Sequence, residues 1–166
     1  VVIMVLGEEG HQSGEGRSRT NIGLPGLQMD LLQEIQKVNK NIVLVVMSGR
    51  PLDLSWEDQN IPAIVQAWHL GSKSGDAIAQ VLYGDYNPSG KLTMSFPRNV
   101  GQVPVYYNFK NTGRPSTSIE QVTNSGYADV ENSPLYSFGY GLSYTEFKYS
   151  DFEISSSTMT KDSKIS

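Results

Sequence analysis

The feature that most constrains this chain is its beginning. Six apolar residues, Val1-Val2-Ile3-Met4-Val5-Leu6, run straight into a loop holding Gly7, Gly10, Gly14 and Gly16. An apolar run without alternation predicts a strand covered on both faces, the pattern of parallel sheets in α/β proteins. The loop then lies at the strand's carboxyl end, the edge where open α/β sheets bind ligands. It carries Glu8, Glu9, His11, Glu15, Arg17 and Arg19, and its glycines let the backbone turn tightly. Any chemistry is expected here.

The same pattern continues along the chain. Pro25 opens a helix over residues 26–39, where Leu27, Leu31, Ile35 and Val38 recur at helical spacing and predict one buried face. Residues 42–47 read as a second doubly covered strand, which completes a βαβ unit of right-handed crossover. Ser48-Gly49-Arg50-Pro51 leaves that strand on the same sheet edge as the first loop, and residues 52–60 are poorly patterned. Residues 63–68 read as a third strand ending at Trp68. A helix over residues 74–84 has Ile78, Val81 and Leu82 inward, a hydroxyl cap at Ser74 and a glycine stop at Gly84. Residues 85–90 read as a turn, and 91–96 alternate like an edge strand. Residues 97–134 are rich in turn-forming residues and predict a long irregular segment, with Tyr106, Tyr107, Phe109, Tyr127 and, just beyond, Tyr136 as candidates for stacking on a ligand or for anchoring it. The fold expected is α/β: a three-layer α/β sandwich with a mostly parallel sheet. Glu15, Arg50 and Trp68 should then share one side of that sheet.

Composition removes several function classes. With 13 Lys and Arg against 17 Asp and Glu, a net charge of −4, there is no basic footprint and no nucleic-acid partner is expected. Zero cysteines exclude disulfides and thiolate metal sites, and His11 and His69 are too few for a metal centre. No apolar run approaches the ~20 residues of a membrane-spanning helix. Without an initiator Met or a basic leader, and opening inside a strand, the chain reads as a piece of a longer protein. The first loop fits neither G-x-G-x-x-G nor a GK[ST] ending, and no serine sits in a G-x-S-x-G elbow. Asp85-Tyr86-Asn87-Pro88-Ser89-Gly90 imitates a calcium loop but has Phe96 where the closing acid belongs. Spacing alone leaves Glu15 open between solvated acid, backbone cap and catalytic group. Arg17 and Arg19 stand between surface charges and groups that orient Glu15 or contact a ligand, and Trp68 between core packing and stacking on a ligand. Glu8 and Glu9 read as structural.

Gly14-Glu15-Gly16-Arg17-Ser18-Arg19, with Leu24-Pro25 and Gln28 after it, resembles the acid/base loop in the carboxyl-terminal α/β domain of family 3 glycoside hydrolases, the β-glucosidases and β-xylosidases. Collinear matches follow: Ser48-Gly49-Arg50-Pro51, Ala67-Trp68, Gly84-Asp85-Tyr86-Asn87-Pro88-Ser89-Gly90-Lys91-Leu92, Met94-Ser95-Phe96-Pro97, Gly101-Gln102-Val103-Pro104-Val105-Tyr106-Tyr107, Asn111-Thr112-Gly113-Arg114-Pro115 and Phe138-Gly139-Tyr140-Gly141-Leu142-Ser143-Tyr144-Thr145. The likeness is greatest to the periplasmic enzymes of Gram-negative bacteria.

The resemblance implies a sandwich domain over residues 1–141, truncated at its N-terminus, then a linker and the start of a fibronectin-type-III-like domain over 142–166, with alternation in 149–154 as its first strand. It implies a retaining β-glucosidase or β-xylosidase acting on terminal non-reducing β-D-glucosyl residues, in the periplasm or secreted. Glu15 would be the general acid/base, Arg17, Arg19 and Trp68 substrate contacts, and the nucleophile an aspartate on a preceding (β/α)8 barrel domain. No cofactor or metal is implied, and the partners are the β-glucoside and that barrel. The chain departs from the family at His69-Leu70-Gly71-Ser72-Lys73-Ser74-Gly75, where a proline-glycine and an acid-rich turn are usual, and at Gly126, where an arginine is common. The alternative is a noncatalytic carbohydrate-binding or interaction module that retains the fold.

Overall fold

The computed structural model describes residues 1–116 and 119–164. Three parallel strands form one sheet in the order β1 (Val2–Gly7), β2 (Ile42–Met47), β3 (Ala63–Gln66). The register sets Met4 beside Leu44 and Leu44 beside Ile64, so these side chains share one face. Helix α1 (Gln28–Val38) contributes Leu32 to the same core, with Leu24, Leu52, Leu54, Ile61 and Phe96. The α/β class and the parallel pairing are as the sequence predicts. Because all three strands run the same way, the segments after β1, β2 and β3 open on one edge of the sheet.

The double cover expected of β1 is not met. Val45 of β2 is fully buried on the second face, but Ile3 and Val5 of β1 are exposed on it. Among the described residues the strand's apolar run is covered on the Met4 side only, where the core built around Leu32 lies.

The buried face of α1 also differs. Leu32 is 0% exposed, whereas Leu27 and Leu31, expected inward, are 77% and 51% exposed, and Val38 is exposed as well. The helix carries two apolar stripes, Leu32 with Ile35 and Leu27 with Leu31 and Val38. Periodicity registers both and cannot say which meets the sheet.

A short helix, α2 (Ser55–Asn60), stands in the segment read as poorly patterned. Its start is an Asx turn, Ser55 N donating to Asp53 Oδ1 at 3.1 Å. Helix α3 (Ser74–Tyr83) ends at Gly84 in the left-handed region, φ +83°, as expected. Its N-cap is Lys73 rather than Ser74, and Ile78, Val81 and Leu82 are half-buried. Residues 91–96 form no strand. They join residues 135–140 through an isolated antiparallel bridge between Phe96 and Tyr136 and through Leu92 N to Tyr140 O and Gly139 N to Leu92 O. The described residues of 97–134 are irregular apart from one 3-10 turn, Val100–Gln102, and an isolated parallel bridge between Pro115 and Ser125. Residues 149–154 pair with nothing regular, and 165 and 166, the end of the expected second segment, lie outside the described residues. No helix among the described residues is long and apolar enough to cross a membrane.

Candidate active site at the carboxyl edge of the sheet

The edge begins at Gly7. Its φ is +140°, and a Cβ there would fall 1.8 Å from the Met47 carbonyl oxygen, so only glycine lets β1 leave the sheet this close to β2. The Gln28 side chain serves as a substitute peptide: Gly7 N donates to Gln28 Oε1 at 2.7 Å and Gln28 Nε2 donates to Gly7 O at 2.9 Å. The first residue of α1 thus fixes the point from which the loop departs.

Glu8 then turns inward. Its side chain is 0% exposed and meets Arg19 Nη1 at 2.8 Å and Arg50 Nε at 2.9 Å, and Gly49 N donates to it at 3.4 Å. A buried carboxylate needs such partners, because desolvation without them is costly. Arg19 also donates through Nη2 to Gly23 O at 3.0 Å. It is therefore committed to the loop's framework before any ligand arrives.

Residues 9–17 are folded over this base. Glu9 N donates to Gln12 Oε1 and Gln12 N to Glu9 O, both at 2.9 Å, closing one turn of 3-10 helix. His11 Nδ1 lies 2.9 Å from Glu9 Oε2 on the exposed side. Ser13 packs on the end of β2: a Cβ on Gly49 would fall 1.8 Å from Ser13 Oγ and 3.2 Å from His69 Cδ2. Segments following all three strands therefore touch at one glycine. Gly14 and Gly16, at φ +110° and +70°, flank Glu15 and close a turn in which Arg17 N donates to Gly14 O at 3.2 Å. Glu15 stands exposed on that turn, and neither it nor the exposed Arg17 side chain has a partner among the described residues.

Trp68 ends the segment after β3 on the same edge as Glu15 and Arg50. It is half-buried, with φ +55° and its ring 5.8 Å from Phe96. A left-handed aromatic residue is unusual and marks a forced turn. An open depression of about 220 Å³ is lined by Val5, Gly7, Glu8, Glu9, Gln28 and Met47, and Glu15 is not among its lining residues. Among the described residues no three His, Cys, Asp or Glu side chains group as metal ligands.

One acid stands out that no motif marks. Glu57 on α2 is 0% exposed, and neither carboxyl oxygen has a hydrogen-bond partner among the described residues. Burial raises its pKa from 4.5 to about 7 against the opposing pull of its own backbone N–H, with a smaller upward push from Asp53. Beside it Tyr136 donates to Asp58 Oδ1 at 2.5 Å, and burial and that bond hold the phenol above its ordinary value. Sequence offers one signal for Glu57: an acid in a short segment between the buried residues Leu54 and Ile61.

Residues 1–144 match the glycosyl hydrolase family 3 C-terminal domain. The chain is 52% identical to a periplasmic β-glucosidase of Salmonella typhimurium, aligned over 99% of this chain and 22% of that protein. It is 43% identical to a β-xylosidase of Formosa agariphila, over 89% of this chain and 20% of that one. Its fold is similar to a β-glucosidase from Listeria innocua solved with gluconolactone, TM-score 0.86 at 40% identity, over 92% of this chain and 22% of that structure. The chain thus spans about a fifth of the length of the relatives it matches.

Proposed function

The chain belongs to the glycosyl hydrolase family 3 C-terminal domain family, and from that premise we propose that it is the acid/base-bearing part of a retaining β-glucosidase or β-xylosidase. Glu15 is the general acid/base. Retention requires a second carboxyl roughly 5–5.5 Å away as nucleophile, assigned to an aspartate on a preceding (β/α)8 barrel domain of the same protein. The enzyme works in the periplasm or outside the cell, on terminal non-reducing β-glucosyl or related residues. One observation carries the reading: in a family-matched domain, the glycine-flanked Glu15 is presented unpartnered at the carboxyl edge of a parallel sheet.

In the first step Glu15 protonates the leaving oxygen as the nucleophile attacks the anomeric carbon. In the second its carboxylate takes a proton from the water that opens the glycosyl-enzyme. Arg17 is free to meet sugar hydroxyls, and Trp68 offers the exposed part of its ring. Arg19, bound to Glu8 and Gly23, supports the loop and reaches substrate with the donors those two bonds leave.

The test is Glu15→Ala in the intact enzyme. General acid catalysis is worth roughly 10²–10⁴-fold and matters most when the leaving group is poor. Cellobiose hydrolysis should fall far more than cleavage of a dinitrophenyl glucoside, and azide should restore turnover of the latter and give a β-glucosyl azide. Equal slowing of both substrates with no azide effect would move the assignment to another carboxylate.

A further inference from the structure

The turn carrying Glu15 has no partner of its own for the acid, so its position must come from the backbone on either side. A single side-chain nitrogen holds both flanks. Arg50 Nη2 donates to Gln12 O at 2.5 Å and to Arg17 O at 3.1 Å, the two carbonyls that bracket Glu15. The same guanidinium is fixed at its other end by Nε on Glu8, whose carboxylate also binds Arg19. Arg50 follows β2 directly through Ser48, whose hydroxyl is fully buried and donates to Arg50 O at 2.8 Å. The anchor is thus the rigid sheet, and the strut crosses from it to the loop. Gly49 completes the contact from below, for Ser13 Oγ occupies the space a side chain there would need.

Resting on the proposed role of Glu15, we propose that Arg50 is the positioning residue of the acid/base: it sets where the Glu15 carboxyl stands by tying both flanks of the turn to the end of β2. The planar guanidinium is suited to this, since its donors point in fixed and different directions. A lysine can face Glu8 with its charge, but its three donors share one nitrogen, which cannot stand both at the Nε position beside Glu8 and at the Nη2 position beside Gln12 O and Arg17 O. Small displacements of a reacting group are costly, about 100-fold for 1 Å.

The experiment compares Arg50→Lys with Glu15→Ala in the intact enzyme, on cellobiose and on dinitrophenyl β-glucoside, with and without azide. Arg50→Lys should lose roughly 10- to 100-fold in kcat/KM on cellobiose and only a few-fold on the activated glucoside. Azide should raise its turnover of the activated glucoside. A purely structural role would slow both substrates alike, and that result, or no change on either, overturns the inference. If Glu15→Ala shows the leaving-group dependence while Arg50→Lys does not, the positioning role fails and the function stands; if Glu15→Ala lacks it, the function itself fails. Should Arg50→Lys not fold, Arg50→Gln takes its place, keeping part of the stem and one amide donor group without the charge or the guanidinium fork. It should show the same preference for the activated substrate, and equal losses there overturn the inference too.

Discussion

Glu8 and Glu57 are both acids whose carboxyls the fold removes from water, one at the end of β1 and the other on α2. Glu8 has two guanidinium groups and a backbone N–H around it. Among the described residues Glu57 has no hydrogen-bond partner for either oxygen, and the charged neighbour that acts on it is another acid, Asp53. The same residue type at similar burial therefore does opposite things. Around Glu8 the carboxylate gathers Arg19, Arg50 and Gly49 and so builds the base of the site. Around Glu57 burial opposes the charge, and the group gives the fold a dependence on pH. What decides is the partners and not the depth.

Breaking the first region should have the largest effect. Glu8→Ala leaves two guanidiniums, 18% and 20% exposed, without their shared carboxylate. Removing one partner of a buried ion network costs about 3–5 kcal/mol, and a denaturant titration should show a loss of that size. A cost under about 1 kcal/mol would mean that the arginines find other acceptors and that Glu8 is not the organising group.

The second region should respond in the other direction. Glu57 has a folded-state pKa of about 7 against 4.5 for the free acid, so the folded protein binds a proton that the unfolded chain has already lost. Stability therefore falls as pH rises from about 4.5 to 7 and stays reduced above that range. At about 1.4 kcal/mol per pKa unit the full penalty is as much as about 3 kcal/mol. Glu57→Gln, which cannot ionise, should be more stable than the parent by up to that amount at pH 8. The difference should shrink through the window and vanish near pH 4, with Asp53, Asp58 and Tyr136 unchanged in both proteins. A difference that is the same at pH 8 and pH 4 would mean that the carboxyl titrates in the folded protein as it does in the unfolded chain, and that burial does not oppose its charge.

The contrast also explains what the sequence makes legible. The three parallel strands could be read because apolar runs and glycine stops are local, and their shared edge followed from topology alone. Glu15 could be singled out because its flanking glycines and following arginines make a recognisable string. The Glu8 network could not be, for its members sit 11 and 42 positions from the acid, and only the folded chain brings Arg19 and Arg50 to it. Hence the bonds of Arg19 to Glu8 and Gly23 could not be read in the sequence, which marks it only as a candidate substrate contact beside Glu15. The inward stripe of α1 was hidden because two stripes share the helix, and α2 because six residues are too few for periodicity to register. Residues 91–96 alternate like a strand, but their partners lie about 40 residues on and yield a single bridge.

A third acid sharpens the comparison with the smallest expected change. Glu15 shares a loop with Glu8 yet is exposed and has no partner among the described residues. Glu15→Gln removes a charge from solvent, breaks no hydrogen bond and leaves Gly14 and Gly16 free to keep their left-handed conformations. Surface substitutions of this kind lie within about 0.5 kcal/mol of zero, so the unfolding midpoint should match the parent's from pH 5 to pH 8. The same substitution should nevertheless remove most activity on cellobiose, since an amide can neither give nor take the proton. An acid that the fold does not use and the reaction cannot do without is what a site built for a second domain would present. A loss above about 1 kcal/mol would place Glu15 with Glu8, as a group that holds the loop together, and would return the proton transfer to another carboxylate on this edge, Glu9 first.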